Sequence, residues 1–186
     1  DAGASVIVLD DGHQDPSLTK TLSIIVCDAA RGFGNGRTIP AGPLREPIAT
    51  GLMRADLLVS IGTPKMQQRF LKAHGDTVTV PHLNAQLNPL PTGMPWRGMR
   101  ALAFAGIGYP DKFFATLREA GVDVVATQAL NDHQPLEPKL MQRLQAEAQA
   151  ARAQLVTTEK DAVRLPPDLR AQVFPFPVRL QFDEHA

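Results

Sequence analysis

The sequence predicts an α/β fold in two parts, and three observations predict it. Short apolar runs that end at an acid or a glycine recur along the 186 residues. Segments with apolar residues at helical spacing lie between them. A stretch from Asn84 to Gly98, holding Pro89, Pro91, Pro95 and the lone Trp96, separates one such series from the next. Short Val/Ile-rich runs read as buried strands of a parallel sheet. Their alternation with helices is the pattern of helix-covered sheets, and a proline-rich break marks a domain boundary.

Taken in order, Val6–Leu9 is the first expected strand, running into Asp10, Asp11 and Gly12. Gly12 is expected to turn the chain at positive φ. Leu22 to Asp28 is the second strand. Arg31-Gly32-Phe33-Gly34-Asn35-Gly36-Arg37 follows, and glycines at alternate positions exclude a regular helix. The loop continues through Pro40-Ala41-Gly42-Pro43-Leu44-Arg45-Glu46-Pro47, a length that is usually functional when it carries spaced apolar residues. Ile48–Arg54 is a short helix, Ala55–Gly62 a strand and Pro64–His74 a helix with Met66, Phe70 and Leu71 on one side. Thr77–Val80 alternates and reads as a connecting strand. The second series has strand Arg100–Ala105, a helix from Pro110 stopped by Gly121, strand Val122–Ala126, helix Pro135–Ala151 and strand Leu155–Thr157. A short helix starts at Glu159, and Val173–Phe182 is extended, with prolines that favour a sheet edge.

Composition narrows the classes. Nineteen basic and nineteen acidic residues balance, so no global charge argues for nucleic acid as a partner. One cysteine, Cys27, excludes an internal disulfide and a four-cysteine zinc site; in its apolar run it reads as a small buried hydrophobe. No stretch approaches the ~20 apolar residues of a membrane span. Asp1-Ala2-Gly3-Ala4 leads directly into the first strand, whose neighbours must then lie upstream. The chain is therefore expected to be the carboxyl-terminal part of a longer protein.

Several residues carry chemistry. Ligands of open α/β sheets sit beyond the carboxyl ends of the strands, where Asp10 and Asp11 are expected. Two adjacent carboxylates there suit Mg²⁺, which takes oxygen ligands and shares them with phosphates, as on a Walker-B strand. An Asp-Asp-Gly turn whose carboxylates accept backbone N–H groups is the alternative. Arg45 is suited to grip an anion with its planar fork, or to pair locally with Glu46. His133, beside Asp132, is placed for proton traffic, or stands in a helix-entry turn. Thr157-Thr158-Glu159-Lys160-Asp161 suits a capped helix start. There is no Gly-x-x-x-x-Gly-Lys-Ser/Thr in the chain, so the glycine-rich loop is not a Walker A.

Taken together, Val8-Leu9-Asp10-Asp11-Gly12-His13-Gln14 and the block from Arg31 to Pro47 resemble the tetraacyldisaccharide 4'-kinase family, the lipid A 4'-kinases of Gram-negative bacteria. Gly106-Ile107-Gly108-Tyr109-Pro110, Asp132-His133 and Thr157 to Leu165 fit in order and spacing. The resemblance implies a P-loop NTPase-like parallel sheet portion, here residues 1–76, and a smaller α/β/α domain, residues 99–186, joined by a β hinge over 77–98. It implies ATP-dependent phosphorylation of the 4'-hydroxyl of a tetraacylated glucosamine disaccharide 1-phosphate at the cytoplasmic face of the inner membrane. Asp10 and Asp11 match the acids near Mg²⁺, with Asp11 also catalytic. His133 matches a histidine assisting a catalytic aspartate. Arg45 and Glu46, with Asn35, match the substrate cleft.

Two departures follow. The family's P-loop and the aspartate that His133 would assist are expected upstream, so residues 1–186 alone are expected to lack kinase activity. Asp15 stands where the family usually has histidine. A non-catalytic nucleotide-binding or regulatory module, or a sugar-modifying Rossmann enzyme such as a glycosyltransferase, are the competing readings.

Overall fold

The computed structural model describes residues 3–131 and 134–183. The described residues fall into two compact units. The first takes those up to Leu87 and from Leu180 on; the second runs Asn88–Arg179.

In the first unit, β1 (Ile24–Asp28), β2 (Leu57–Ile61) and β3 (His82–Pro89) pair in parallel, with Ile24 opposite Leu57 and Leu58 opposite His82. Helix α1 (Ile48–Leu52) and helix α2 (Pro64–His74) lie between the strands in sequence. Proline at the first turn of α2 needs no N–H partner there. Strand period sends Ile25 and Cys27 toward a core of Ala29, Phe33, Leu52, Leu58 and Phe70. Ile24 and Val26 point the other way and remain exposed.

The second unit holds β4 (Arg100–Ala105), α3 (Pro110–Glu119), β5 (Asp123–Ala129), α4 (Pro138–Ala150), β6 (Gln154–Thr158), α5 (Glu159–Ala162), α6 (Pro167–Arg170) and β7 (Val173–Phe176). The sheet order is β5-β4-β6-β7, and all three pairings are parallel. Ala101, Ala103 and Ala105 of β4 face a core with Phe113, Phe114 and Leu117 of α3. Leu102 and Phe104 face a second core with Met141 and Leu144 of α4. These two faces make an α/β/α sandwich. Helix α3 ends as expected at Gly121: its N–H reaches the Arg118 carbonyl, and Val122 N–H reaches that of Leu117.

The last strand, β8 (Val178–Phe182), neighbours β3 at the edge of the first sheet. Asp183 N–H donates to Asn84 and Leu90 N–H to Pro177, so the two run antiparallel. The chain leaves the first unit within β3 and returns to it within β8. The extended segment 173–182 thus supplies an edge strand to each sheet, where proline costs no ladder bond.

Three expectations are corrected. Val6–Leu9 is not a buried strand: Val6, Ile7 and Val8 are 75%, 79% and 88% exposed, and no described strand pairs with them. Apolar β-branched sequence favours extension, but a strand forms only where another strand supplies hydrogen-bond partners. The connecting strand is His82–Pro89, not Thr77–Val80; Val78 and Val80 pack against the first core instead. The positive φ after Leu9 belongs to Asp11, at 57°, not to Gly12. Gly12 is needed for a different reason, since a Cβ there would stand 2.7 Å from Leu9 Cβ.

Candidate functional site

The site in the first unit is built by the long loop between β1 and α1. The loop starts with Asp28, whose carboxylate accepts the Ala30 N–H at 2.8 Å. Gly32, Gly34 and Gly36 all have positive φ, and the chain turns back on itself through them. Ile39 N–H donates to the Leu44 carbonyl and Leu44 N–H to that of Arg37, closing a small ladder. Gly42 fits inside it because a Cβ would lie 2.3 Å from the Arg37 carbonyl oxygen. Asn35 works on the same loop. Its amide nitrogen donates to the Ala41 carbonyl at 2.9 Å, and its oxygen accepts Arg37 N–H at 3.1 Å.

The end of the loop then distributes its side chains. Leu44 packs on the first core. Arg45 reaches back to the acidic turn and forms a two-pronged fork with Asp11, 2.9 Å on each oxygen. The neighbouring carboxylate keeps the Arg45 guanidinium above its ordinary pKa, chiefly through that hydrogen bond. Glu46 accepts from Arg54 at 2.5 Å and from Gln14 at 3.0 Å. The Arg54 bond is the main reason its carboxyl is held below 4.5, with Gln14 adding to it. His13 Nε2 meets the Gly51 carbonyl at 3.0 Å. His13, Gln14, Glu46 and Arg54 line a groove of about 540 Å³ with Asp15 and Lys20. The Asp15 carboxyl is lowered by the hydroxyl and N–H of Ser17, and Lys20 donates to the Asp15 carbonyl.

The structure thus brings Asp11, Arg45 and Glu46 to one loop cluster, across more than thirty positions of sequence. Asp10 lies exposed in the same turn. Asn35 lies on that loop and shapes it. His133 lies outside the described residues. Gln14, His13 and Arg54 have contacts that the sequence reading did not assign. Gln14 and His13 stand inside a quoted motif, but Arg54 had no signal beyond a basic residue closing a helix.

Asp10 and Asp11 are hard oxygen donors of the type Mg²⁺ takes. No group of three or more His, Cys, Asp or Glu among the described residues is arranged for a metal. A cation held by these two acids would complete its shell from water and phosphate oxygens, as Mg²⁺ ordinarily does. No helix among the described residues is long and apolar enough to cross a membrane.

Comparison with known proteins gives a consistent result. The sequence profile of the family described as tetraacyldisaccharide-1-P 4'-kinase matches residues 1–186. A tetraacyldisaccharide 4'-kinase of Dinoroseobacter shibae is 63% identical over 180 residues, which is 96% of this chain and 53% of that protein. Its namesake in a Jannaschia species is 59% identical over 182 residues, 98% of this chain and 56% of that protein. The chain spans about half the length of the curated relatives it matches. Among solved structures, LpxK from Aquifex aeolicus in complex with ATP aligns with a TM-score of 0.58 and 21% identity, over 94% of this chain and 52% of that one. At that identity the likeness establishes a shared α/β fold.

Proposed function

Because the chain belongs to the tetraacyldisaccharide-1-P 4'-kinase family, we propose that it is the carboxyl-terminal portion of a lipid A 4'-kinase. The reaction is ATP-dependent phosphorylation of the 4'-hydroxyl of a tetraacylated glucosamine disaccharide 1-phosphate. The match along residues 1–186 supports this reading. The convergence of Asp11 with Arg45 and of Gln14 with Glu46 gives the two motif blocks a common physical purpose.

The 4'-hydroxyl oxygen forms a bond to the γ-phosphorus, the bond from that phosphorus to the β,γ-bridging oxygen breaks, and the hydroxyl proton passes to a base. Such transfer depends on positioning and on stabilising charge. Asp10 and Asp11 would hold Mg²⁺, which supplies charge neutralisation on the phosphates when bound. The Arg45 fork orients the Asp11 carboxylate. Glu46, fixed by Arg54 and Gln14, lines the groove as a substrate contact, and Asn35 holds the shape of the loop that presents both. His133 would support a catalytic carboxylate from a region of the protein outside this chain. That region would also carry the P-loop of an NTPase-like domain and supply strand partners for Val6–Leu9. An acylated substrate fits a site of action at the cytoplasmic face of the inner membrane.

The test is to assay the complete protein and residues 1–186 side by side with ATP and tetraacyldisaccharide 1-phosphate. Mg²⁺-dependent 4'-phosphorylation by the complete protein, and none by residues 1–186, is expected. Nucleotide binding without transfer by the complete protein would favour a regulatory module instead.

A further inference from the structure

The second unit contains a buried charge that the reaction above does not use. Asp161 lies on α5, wholly buried. One carboxylate oxygen accepts the Gly106 N–H at 2.9 Å and the Thr158 hydroxyl at 2.8 Å. The other accepts from Arg164 at 3.1 Å. The second prong of the Arg164 guanidinium donates to the Gln134 carbonyl at 2.8 Å. Gln134 and Asn131 are tied to each other by two bonds, Gln134 N–H to the Asn131 carbonyl and Asn131 N–H to the Gln134 side-chain oxygen. Arg170 in turn donates to the carbonyls of Ala162, Val163 and Leu165, which fixes the end of the short helix that carries Asp161.

These contacts have a pattern. Gly106 follows β4, Asn131 and Gln134 follow β5, and Thr158 ends β6. All three points lie at the carboxyl ends of parallel strands. From β4 the chain goes to β5 on one side and then to β6 on the other, so β4 and β6 flank the switch point where open α/β sheets place their ligands. A single ion pair on a wholly buried carboxylate therefore cross-links the loops that such a sheet uses for function. A bland explanation is fold stability, since removing one partner of a buried pair leaves the other uncompensated. That explanation accounts for Asp161 with Gly106 and Thr158. It does not require the second prong of Arg164 on the Gln134 carbonyl.

We infer that Asp161 and Arg164 are positioning residues, which hold the strand-end loops of the second unit in place for phosphoryl transfer. The inference rests on the kinase reading and adds to it two residues that touch neither phosphate nor hydroxyl. It distinguishes the guanidinium from a simple positive charge. A lysine at 164 can neutralise Asp161, but a point charge cannot span both acceptors in a fixed fork.

The experiment uses the complete kinase with R164K, R164A and D161N, measuring Tm and steady-state kinetics for ATP and the lipid disaccharide. R164K is expected to keep Tm near wild type and both KM values within about threefold, while kcat falls by about 10²-fold, the scale of a misplacement near 1 Å. R164A and D161N are expected to lose Tm as well. Wild-type kcat in R164K, or a loss that simply follows the unfolded fraction, overturns the inference alone. A complete wild-type protein without 4'-kinase turnover overturns the functional reading and takes this inference with it.

Discussion

In the first unit an aspartate and an arginine meet in water; in the second the same two side-chain types meet in the interior. The Asp11 and Arg45 side chains are 69% and 57% exposed, those of Asp161 and Arg164 0% and 27%. Both pairs use short charge-assisted bonds, but their surroundings set different consequences. An exposed pair is screened by water and salt and contributes little to folding, so its members are free to exchange one partner for another. A buried carboxylate with three donors has no such freedom, because each donor and each oxygen would be left unsatisfied. On the proposed reading, the first pair serves chemistry that changes partners and the second geometry that does not.

The sharpest way to break this contrast is at Asp161. D161A removes the acceptor of Gly106 and Thr158 and strands the Arg164 charge. A loss of about 3–5 kcal/mol in folding free energy is expected, measured by urea denaturation of residues 1–186. A loss below about 1 kcal/mol would place Asp161 with ordinary surface pairs.

Glu46 is expected to show an intermediate effect. Its folded carboxyl sits below 4.5, mainly through Arg54. The folded state therefore binds fewer protons than the unfolded one in that range, and the contribution is complete above the unfolded pKa. It is lost as pH falls from about 4.5 through the lowered folded value. E46Q is expected to cost about 1 kcal/mol at pH 7 and nothing at a pH below the folded value. An equal cost at both pH values would mean that packing, not charge, holds Glu46.

Much of the second unit was readable in the sequence because its local patterns agree with its neighbours. Arg100–Ala105 alternates small and large apolar residues toward two helices, and Pro64–His74 in the first unit announces its start with proline. The failures have physical causes. Val6–Leu9 has the side chains of a buried strand, but side chains do not reveal whether a partner strand is present. Strand β3 was hidden for the opposite reason, since His82, Asn84 and Gln86 look like linker. The His82 ring is accommodated by a local network: the Ser60 hydroxyl donates to the Gln67 side-chain oxygen, so His82 Nε2 must donate to Ser60. Gln67 in turn donates to the Ser60 and Ala85 carbonyls. At the loop cluster, Asp10, Asp11, Arg45 and Glu46 stood out by residue type and motif. Their partners did not, because Asp11 meets Arg45 and Gln14 meets Glu46 only once the glycine-rich loop has folded. Asp161 was visible only as part of a helix start, which it is, with its own N–H on Thr158 Oγ1. Nothing local indicated that its carboxylate also spans to β4.

The smallest effect on folding is expected where the effect on turnover is large. D11N keeps the size of the side chain and one oxygen for Arg45 but removes the charge. Since both partners are solvated, the denaturation midpoint of residues 1–186 is expected to stay at the wild-type value. In the complete kinase the same change removes a carboxylate proposed to face the metal and phosphates, and kcat is expected to fall by about 10²-fold with the lipid KM little changed. The opposite outcome, a lowered midpoint with normal turnover, would make the Asp11–Arg45 fork a brace for the loop. The functional contrast between the exposed and the buried pair would then have to be reversed.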